Sequence, residues 1–405
     1  MASSITGAGA SSVSTGLGTG IDVSQFVQLA LAGDQANITN LQNQQAGLGA
    51  QTTALQQITT DLNNLQAAAN ALSDPLGALD AQTATSSSTG VVSATASSTA
   101  AGGAHSVVVN NLATTSSYYT DPVASSSTPL TTGSFTLQVD TGAPINITVD
   151  NTNNTLDGLV QTINGQNDGV TASVINDANG ARLALVSNSS GAPGDVTVSG
   201  NTTNLNFHKA VTGANASLVV DGVPISSTSN SVAGVINGVT LSLNSPNVGV
   251  PVTVSVSPDT SQAVSAVNNF VSAYNTAIKD INAQFAVNPD GSGGGALQAD
   301  SSLQQAQQLL LGAISASSTT TGAVSNLASI GINLQDDGTL SIDSGTLSTA
   351  LSGNFANVQS FFQTQTTGFA DQLSNTLRNL TNASTGILGL MPRESRKHPR
   401  IYLSK

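Results

Sequence analysis

Four leucines near the start of the chain recur every seven residues, and this spacing constrains the fold more than any other feature. They are Leu41, Leu48, Leu55 and Leu62, and from Leu55 onward apolar residues follow at intervals of three and four. This period is typical of a coiled-coil seam, a narrow apolar stripe that packs on another helix. A core helix of one large domain is less favoured, because a seven-residue period of this length is uncommon outside coiled coils. The predicted seam consists of Leu41, Leu48, Leu55, Ile58, Leu62, Leu65, Leu72 and Leu76.

The segment before the seam predicts a disordered polar N-terminus and a short helix, together within residues 1–33. A glycine-rich polar stretch gives way at Asp22 to a short apolar run, and the Asp22 carboxylate suits the free amides of a first helical turn. The N-terminus has neither the basic stretch nor the apolar core of a Sec signal peptide. No run of about 18 apolar residues occurs, so we expect no membrane span. We therefore expect export without a Sec signal.

The charge balance excludes one class of partner. Only 8% of the residues are charged, the formal net charge is −13, and cysteine is absent. Nucleic-acid binding depends on clustered lysines and arginines that displace counterions from phosphates. We therefore expect no nucleic-acid partner. A cysteine-free chain of this length fits an extracellular protein that excludes thiols. The first 390 residues contain only four basic residues, Arg182, Lys209, Lys279 and Arg378.

Residues 91–256 change to an alternating apolar pattern. Short segments such as HSVVVNNL, GSFTLQVD and PVTVSVSP, separated by turn residues, predict antiparallel β domains. Asn179 and Gly180 predict a type I′ hairpin turn, because both residues tolerate the positive φ angles that this turn needs. A helix packed on one sheet is predicted by four apolar residues at helical spacing, Leu156, Leu159, Val160 and Ile163.

Helical spacing returns after Pro258, and the last helical stretch begins near Ser348. Helical ends around a β middle predict an α+β multidomain fold, in which the N- and C-terminal segments build a helical coiled-coil stalk and antiparallel β-rich domains are inserted. The predicted domains are an N-terminal segment 1–33, a helical leg of 34–80 plus 259–390, a β domain of 81–116 plus 213–258, an inserted α+β domain of 117–212 and a basic tail of 391–405.

Seven short strings occur in a fixed order along the chain. They are GLGTGIDVSQFVQL, AGGAHSVVVNNLA, INDANGARLALVS, SNSVAGVINGVTLSL, PVTVSVSPD, FVSAYN and IGINLQDDGTLSID. Each string is a weak signal alone, but the order makes the set specific. With the leucine ladder, it resembles the bacterial flagellar hook-associated protein 2 family, the filament cap, over residues 16 to about 386.

The resemblance implies a non-enzymatic protein that forms a homo-oligomeric ring at the distal tip of the flagellum. In this family the helical legs reach into the growing filament, the β domains form a plate, and exported flagellin folds and inserts beneath it. The implied partners are further copies of the chain, flagellin and the hook–filament junction proteins. The implied location is extracellular, and no cofactor is implied.

The last fifteen residues, 391–405, differ in composition from the rest, with the sole glutamate, Glu394, and five of the nine basic residues. Family members normally continue into a long helix that pairs with the N-terminal one. We therefore interpret the tail as an atypical, truncated end, produced by a shifted reading frame or a premature stop. A tail that binds an acidic partner or a membrane surface is the alternative. Without the usual partner, the seam must fray or recruit the helix containing Phe362, Phe369, Leu373 and Leu377.

No catalytic or metal-binding constellation stands out. The three histidines, His105, His208 and His398, lack the spacing of a metal site, and HExxH, Walker A and GxSxG strings are absent. The main alternative function is a surface adhesin whose β domains bind host mucin, other glycans or matrix. A phage-tail or autotransporter enzyme of the β class would need a convergent acid cluster, which the sequence does not contain.

Overall fold

A computed structural model describes residues 23–287, 294–317, 324–382 and 384–388. The described residues divide into two compact units. The helical unit combines the described residues up to Asp74 with those from Val264 onward, and the β unit is Pro75–Ala263. The described N-terminal and C-terminal segments therefore build one unit, and the segment between them builds the other. The predicted α+β fold, with helical ends and antiparallel β sheets between them, is confirmed.

The helices of the described ranges are α1 (Val23–Ser73), α2 (Leu156–Gln166), α3 (Thr260–Phe285), α4 (Ser301–Ser315), α5 (Ser344–Gly353), α6 (Phe355–Gln363) and α7 (Phe369–Thr381). The strands are β1 (Gln82–Ser86), β2 (Val92–Ala96), β3 (Gly103–Asn111), β4 (Thr115–Thr120), β5 (Gly133–Val139), β6 (Ile145–Val149), β7 (Val170–Asp177), β8 (Gly180–Ser190), β9 (Val196–Ser199), β10 (Phe207–Val211), β11 (Ala216–Val220), β12 (Val223–Ser227), β13 (Ser231–Ile236), β14 (Val239–Leu243), β15 (Val252–Pro258), β16 (Ile332–Leu334) and β17 (Leu340–Ile342).

The helical unit has an aromatic cluster in its core. Phe270 of α3, Phe361 and Phe362 of α6 and Phe369 of α7 form ring pairs with centroids between 5.0 and 5.9 Å apart, a spacing at which aromatic rings attract one another. Tyr274 of α3 is also buried, and its hydroxyl donates to a backbone carbonyl in the β16–β17 turn at 2.9 Å. This hydrogen bond ties the small hairpin to α3.

The β unit contains two hydrophobic cores. The first core lies between the five-stranded sheet β1-β15-β3-β11-β12 and the three-stranded sheet β13-β14-β2. The second core lies among the sheet β10-β4-β8-β7, the sheet β6-β5-β9 and helix α2. Every strand pairing in these sheets is antiparallel. The predicted boundaries between the two inserted domains stay predictions, because both cores lie in one compact unit.

Helix α2 forms where the sequence predicts it. Leu156, Leu159 and Ile163 are buried against the second core, so the apolar face of the helix is the one given by its spacing. The hydroxyl of Thr155 caps the first turn by accepting a hydrogen bond from a backbone amide. Asn167 ends the helix in the left-handed conformation, with a φ of 54°.

The β7–β8 hairpin also lies where it is predicted, but its predicted turn type is wrong. Asp177 pairs with Gly180, so the loop contains two residues. Asn179 has a negative φ and Gly180 has a φ of 129°. A type I′ turn needs positive φ at both loop residues. Asn179 instead donates its backbone amide to the Asp177 carboxylate at 2.6 Å, and this local bond fixes a different turn.

The sequence predicts a short helix followed by a long one, and this prediction is wrong, because α1 is a single helix. It runs without a break from Val23 to Ser73, so the apolar run after Asp22 belongs to the same helix as the seam. The helix cap predicted at Asp22, the polar residues before it and the tail 391–405 lie outside the described residues.

Candidate interaction surface on the first helix

The predicted seam residues of α1 fall into two groups. The buried group, inside the helical unit, is Leu55, Ile58, Leu62, Leu65 and Leu72. Leu41 and Leu48 are 47% and 44% exposed, and Leu76, which is 71% exposed, lies beyond the end of the helix at Ser73. The role of these residues as a seam between chains stays a prediction.

The C-terminal half of α1 packs on α7. Polar side chains fix this contact beside the leucines: the Ser374 hydroxyl donates to the Asn70 side-chain oxygen at 2.8 Å and receives the Gln66 amide at 3.5 Å. The Gln363 amide donates to the backbone carbonyl of Asp74 at 3.0 Å, just after α1 ends. Of the four residues predicted to lie on one recruited helix, Phe369, Leu373 and Leu377 lie on α7, which packs on the buried seam, whereas Phe362 lies on the separate helix α6.

The same apolar stripe continues along the N-terminal half of α1, where it is exposed. Ile38 lies three residues before Leu41, and Leu31 lies seven before Ile38, so both extend the heptad pattern. Sequence reasoning missed these two residues, although the same spacing could have found them. Within the described residues, no element covers this face. We call the exposed stripe Leu31, Ile38, Leu41 and Leu48 the open seam.

Burial of the open seam would contribute a substantial free energy. Each apolar side chain of this size stabilises a complex by about 1.5 to 3 kcal/mol when it is fully buried. The helix itself is weak there, because Gly33, Gly47 and Gly49 lie in its interior and each costs roughly 1 kcal/mol relative to alanine. No atom lies within 4 Å of where a side chain would start at these glycines. The sequence of this half of α1 therefore gives the helix little stability of its own.

The open seam is poor in charge. Asp34 is the single ionisable residue between Val23 and Leu55, and the other polar residues there are neutral amides and hydroxyls. A partner would be recognised by apolar contact and by neutral hydrogen bonds, with little contribution from ion pairs. Association through this surface should consequently depend only weakly on salt.

Ionisable side chains on and next to the strands of the sheet β10-β4-β8-β7 pair with one another. His208 Nε2 and Asp121 Oδ1 are 2.9 Å apart, and Arg182 Nε donates to Asp177 Oδ2 at 2.9 Å. Hydrogen bonds from Asn206 and then from His208 hold the pKa of Asp121 below its usual value. The carboxylates are thus satisfied by neighbouring strands, and the arrangement ties these strands together.

The described ranges contain neither a candidate metal site nor a candidate membrane-spanning helix. These ranges contain no group of three or more histidine, aspartate or glutamate side chains that could hold a metal ion. Within them, no helix combines the length and the apolarity that a bilayer crossing requires. His398 lies outside them. The open seam therefore stays the candidate interaction surface of the described residues.

Family models match most of the chain. Residues 19–116 match the model of the flagellar hook-associated protein 2 N-terminus, and residues 213–397 match that of its C-terminus. Residues 134–189 match the flagellin hook IN motif. The C-terminal match includes residues 391–397, which belong to the segment that composition sets apart.

Individual relatives carry the same name. The chain is 30% identical to flagellar hook-associated protein 2 of Escherichia coli over 376 residues, which cover 86% of this chain and 80% of that protein. It is 36% identical to the B-type flagellar hook-associated protein 2 of Pseudomonas aeruginosa over 287 residues, which cover 63% of this chain and 60% of the relative. The chain therefore spans somewhat less than two thirds of the P. aeruginosa relative.

A solved structure has the same fold. The crystal structure of the D1-D2-D3 domains of the flagellar cap protein FliD from E. coli aligns with a TM-score of 0.61 and 27% identity, covering 84% of this chain and 99% of that one. The fold thus defines a class of proteins in which an N-terminal and a C-terminal segment together form one helical unit and the segment between them in the sequence forms a β-rich unit. The chain belongs to the flagellar hook-associated protein 2 family.

Proposed function

We propose that this chain caps the distal tip of a bacterial flagellar filament. In this role it assembles as a homo-oligomeric ring and promotes the folding and insertion of exported flagellin, so that the filament elongates and the cell is motile. Family membership and the fold shared with the E. coli flagellar cap protein support the proposal. The ring is extracellular and its subunits are exported without a Sec signal. The role needs no catalytic site and no cofactor.

The observation that carries the proposal is the change of burial along α1. One apolar stripe is buried from Leu55 to Leu72 and exposed from Leu31 to Leu48. A capping subunit needs both parts, because its own fold must hold one part while the other contacts neighbours that change as subunits are added. The neighbours of the open seam are further copies of the chain, flagellin and the hook–filament junction proteins.

The proposal is tested by charge substitution in the open seam. The double variant Leu41→Asp, Leu48→Asp places two carboxylates on the exposed stripe, where they oppose apolar contact with any partner. Expressed in a strain that lacks its own cap protein, it should fail to restore filaments and swimming, whereas the unmodified chain should restore both. Secreted flagellin should then accumulate in the medium as monomer, which electron microscopy and quantitative immunoblotting would measure.

A matched control places the same charges on the opposite side of the same helix. Ala36 and Asn43 are exposed and seven residues apart, and each lies about half a helical turn from the stripe. The variant Ala36→Asp, Asn43→Asp should restore filaments. Equal loss in both variants would trace the defect to helix stability rather than to the open seam, and full activity in both would rule out the seam as a contact surface.

No described feature favours the surface adhesin. Among the residues whose exposure is described, Tyr119 has an exposed aromatic ring that could stack on a sugar. Side chains of the two neighbouring strands, β10 and β8, lie beside this ring. It stacks on His208 at 5.2 Å and lies under the Arg182 guanidinium at 5.9 Å. Sugar platforms need an open ring face, so this surface gives the adhesin no specific support.

A further inference from the structure

Strand β7 is an edge strand, and one side of its backbone faces away from the sheet. It lies last in the sheet β10-β4-β8-β7, and its pairing with β8 runs from Val170 to Asp177 without a bulge. In an antiparallel pair, alternate residues direct both backbone groups toward the partner strand. Counted from the two-residue loop after Asp177, the odd-numbered residues of β7 bond to β8. The even-numbered residues Ala172, Val174 and Asn176 therefore direct their backbone groups outward.

The sequence of β7 lacks the usual protection of an edge strand. An exposed edge favours pairing with another chain, and folded proteins commonly prevent this with a charge, a proline or a bulge. Strand β12 contains Pro224, and β10 contains Lys209 and a bulge. Strand β7 contains no proline and no basic residue, and its acidic residue, Asp177, lies at the end beside the hairpin loop. Ile175 on its outer face is 52% exposed, so a second strand would also cover an apolar side chain.

The side chain of Asn164, in the last turn of α2, covers the middle of this edge. Its Nδ2 donates to the Ala172 carbonyl at 2.9 Å, and its Oδ1 accepts from the Ala172 amide at 2.7 Å. A side-chain amide has the same donor and acceptor as a peptide unit, so Asn164 takes the place of a residue on a neighbouring strand. Among the described residues, none bonds to the outward backbone groups of Val174 or Asn176. Asn164 therefore interrupts an otherwise open edge.

The packing of α2 does not depend on these two bonds alone. Leu159 and Ile163 bury the helix in the second core, whereas Asn164 is exposed. Asparagine is also a weaker helix former than alanine, because its side chain competes with the helix for backbone hydrogen bonds. An exposed position of α2 thus has a residue that costs helix stability and satisfies a strand edge instead.

We propose that Asn164 protects the edge of β7 from pairing with the β7 edge of a second copy of the chain. Two such edges fit each other antiparallel about a two-fold axis, because each offers the same donors and acceptors and neither has a charge between Val170 and Asn176. This pairing requires the backbone groups of Ala172, which Asn164 occupies. The protection keeps this sheet from joining two copies while other surfaces of the chain associate. The inference goes beyond the proposed function and does not require it.

Analytical ultracentrifugation and amide hydrogen exchange of the full-length chain test the protection. Asn164→Ala removes both bonds, and it should associate at a several-fold lower concentration than the unmodified chain. In this variant, peptides that span residues 170–177 should exchange several-fold more slowly at high than at low protein concentration, and the unmodified chain should lack this dependence. The matched control is Asn164→Asp, whose carboxylate still accepts the Ala172 amide and adds a charge at the edge, so it should behave as the unmodified chain.

Two further variants separate strand pairing from a general loss of stability. Ile175→Lys places a charge on the outer face of β7, so it should suppress the association of the Asn164→Ala chain. Asn164→Leu, which has the same branching and no hydrogen-bonding group, should associate as the alanine variant does and replaces it if that variant folds poorly. The proposal is overturned if neither variant of Asn164 associates more than the unmodified chain, or if they associate without protecting residues 170–177. Unfolding of the β unit by both would also overturn it, because Asn164 would then hold the fold together rather than cover an edge.

Discussion

Asp221 and Gly222 show how single residues fix a turn in the β unit. They connect β11 to β12 with φ angles of 50° and 85°, the positive pair that a type I′ turn requires. The Asp221 carboxylate accepts a backbone amide bond from Ser106 at 2.8 Å and contacts His105 Nδ1 at 2.7 Å. These bonds, the one from His105 first, lower the pKa of Asp221. The turn is thereby anchored to β3.

Replacing Gly222 by alanine should destabilise the β unit. The position has open space within 4 Å, so the added methyl group meets no atom and the cost is backbone strain alone, roughly 1 kcal/mol. Urea unfolding monitored by circular dichroism should show this loss. The control is Gly165→Ala, which also meets no atom but lies inside α2, where alanine should instead stabilise by about 0.5 to 1 kcal/mol. Equal effects of the two substitutions would contradict the role of positive φ.

At the level of elements, α1 combines a core helix and an exposed helix in one segment. Leu62→Ala in the buried half should cost about 2 to 5 kcal/mol, because a buried leucine leaves a cavity when it is shortened. Leu41→Ala in the open seam should change stability by less than about 0.5 kcal/mol in the dissociated chain. Thermal or urea unfolding of dilute protein measures both changes. Similar costs for the two variants would mean that Leu41 is also buried in solution.

The sequence predicts the elements better than their ends. Heptad spacing identifies α1, but it extends the seam to Leu76, whereas the helix stops at Ser73. Pro75 explains the stop, because proline disfavours the helical conformation of the residue before it. Similarly, one helical stretch is predicted from Ser348 onward, and the structure divides it into α5, α6 and α7. Periodicity detects which face of a helix is apolar, but it does not detect where the backbone turns.

The contacts of the candidate site were less accessible to sequence reasoning. The heptad pattern predicts that the seam leucines pack on a helix, yet the pattern is the same in the buried and the exposed halves of α1. Their difference depends on α7, which lies some three hundred residues further along the chain, as the Asn70–Ser374 bond illustrates. A single sequence carries no signal that pairs such positions.

At the scale of the whole molecule, the discontinuous helical unit imposes an order on folding. Helix α1 can contact α7 only after the chain between them has brought its ends together, and closing a long flexible loop costs entropy before any contact repays it. The β unit, Pro75–Ala263, has both of its hydrophobic cores inside its own residues. Early folding of the β unit shortens the effective loop. The folded β unit then serves as a preformed connection between α1 and the later helices.

The two units should therefore behave differently when they are expressed separately. Residues 75–263 expressed alone should fold cooperatively, with a melting transition and far-ultraviolet circular dichroism typical of antiparallel sheet, because no core residue is removed. Residues 264–405 alone should not give a cooperative transition, because the buried half of α1, including Leu62 and Leu65, is missing from their core. Adding a peptide of residues 50–74 to the second fragment should restore helix and a transition. A β fragment that melts without cooperativity, or a C-terminal fragment that folds without α1, would show that the two units are not organised as the contacts indicate.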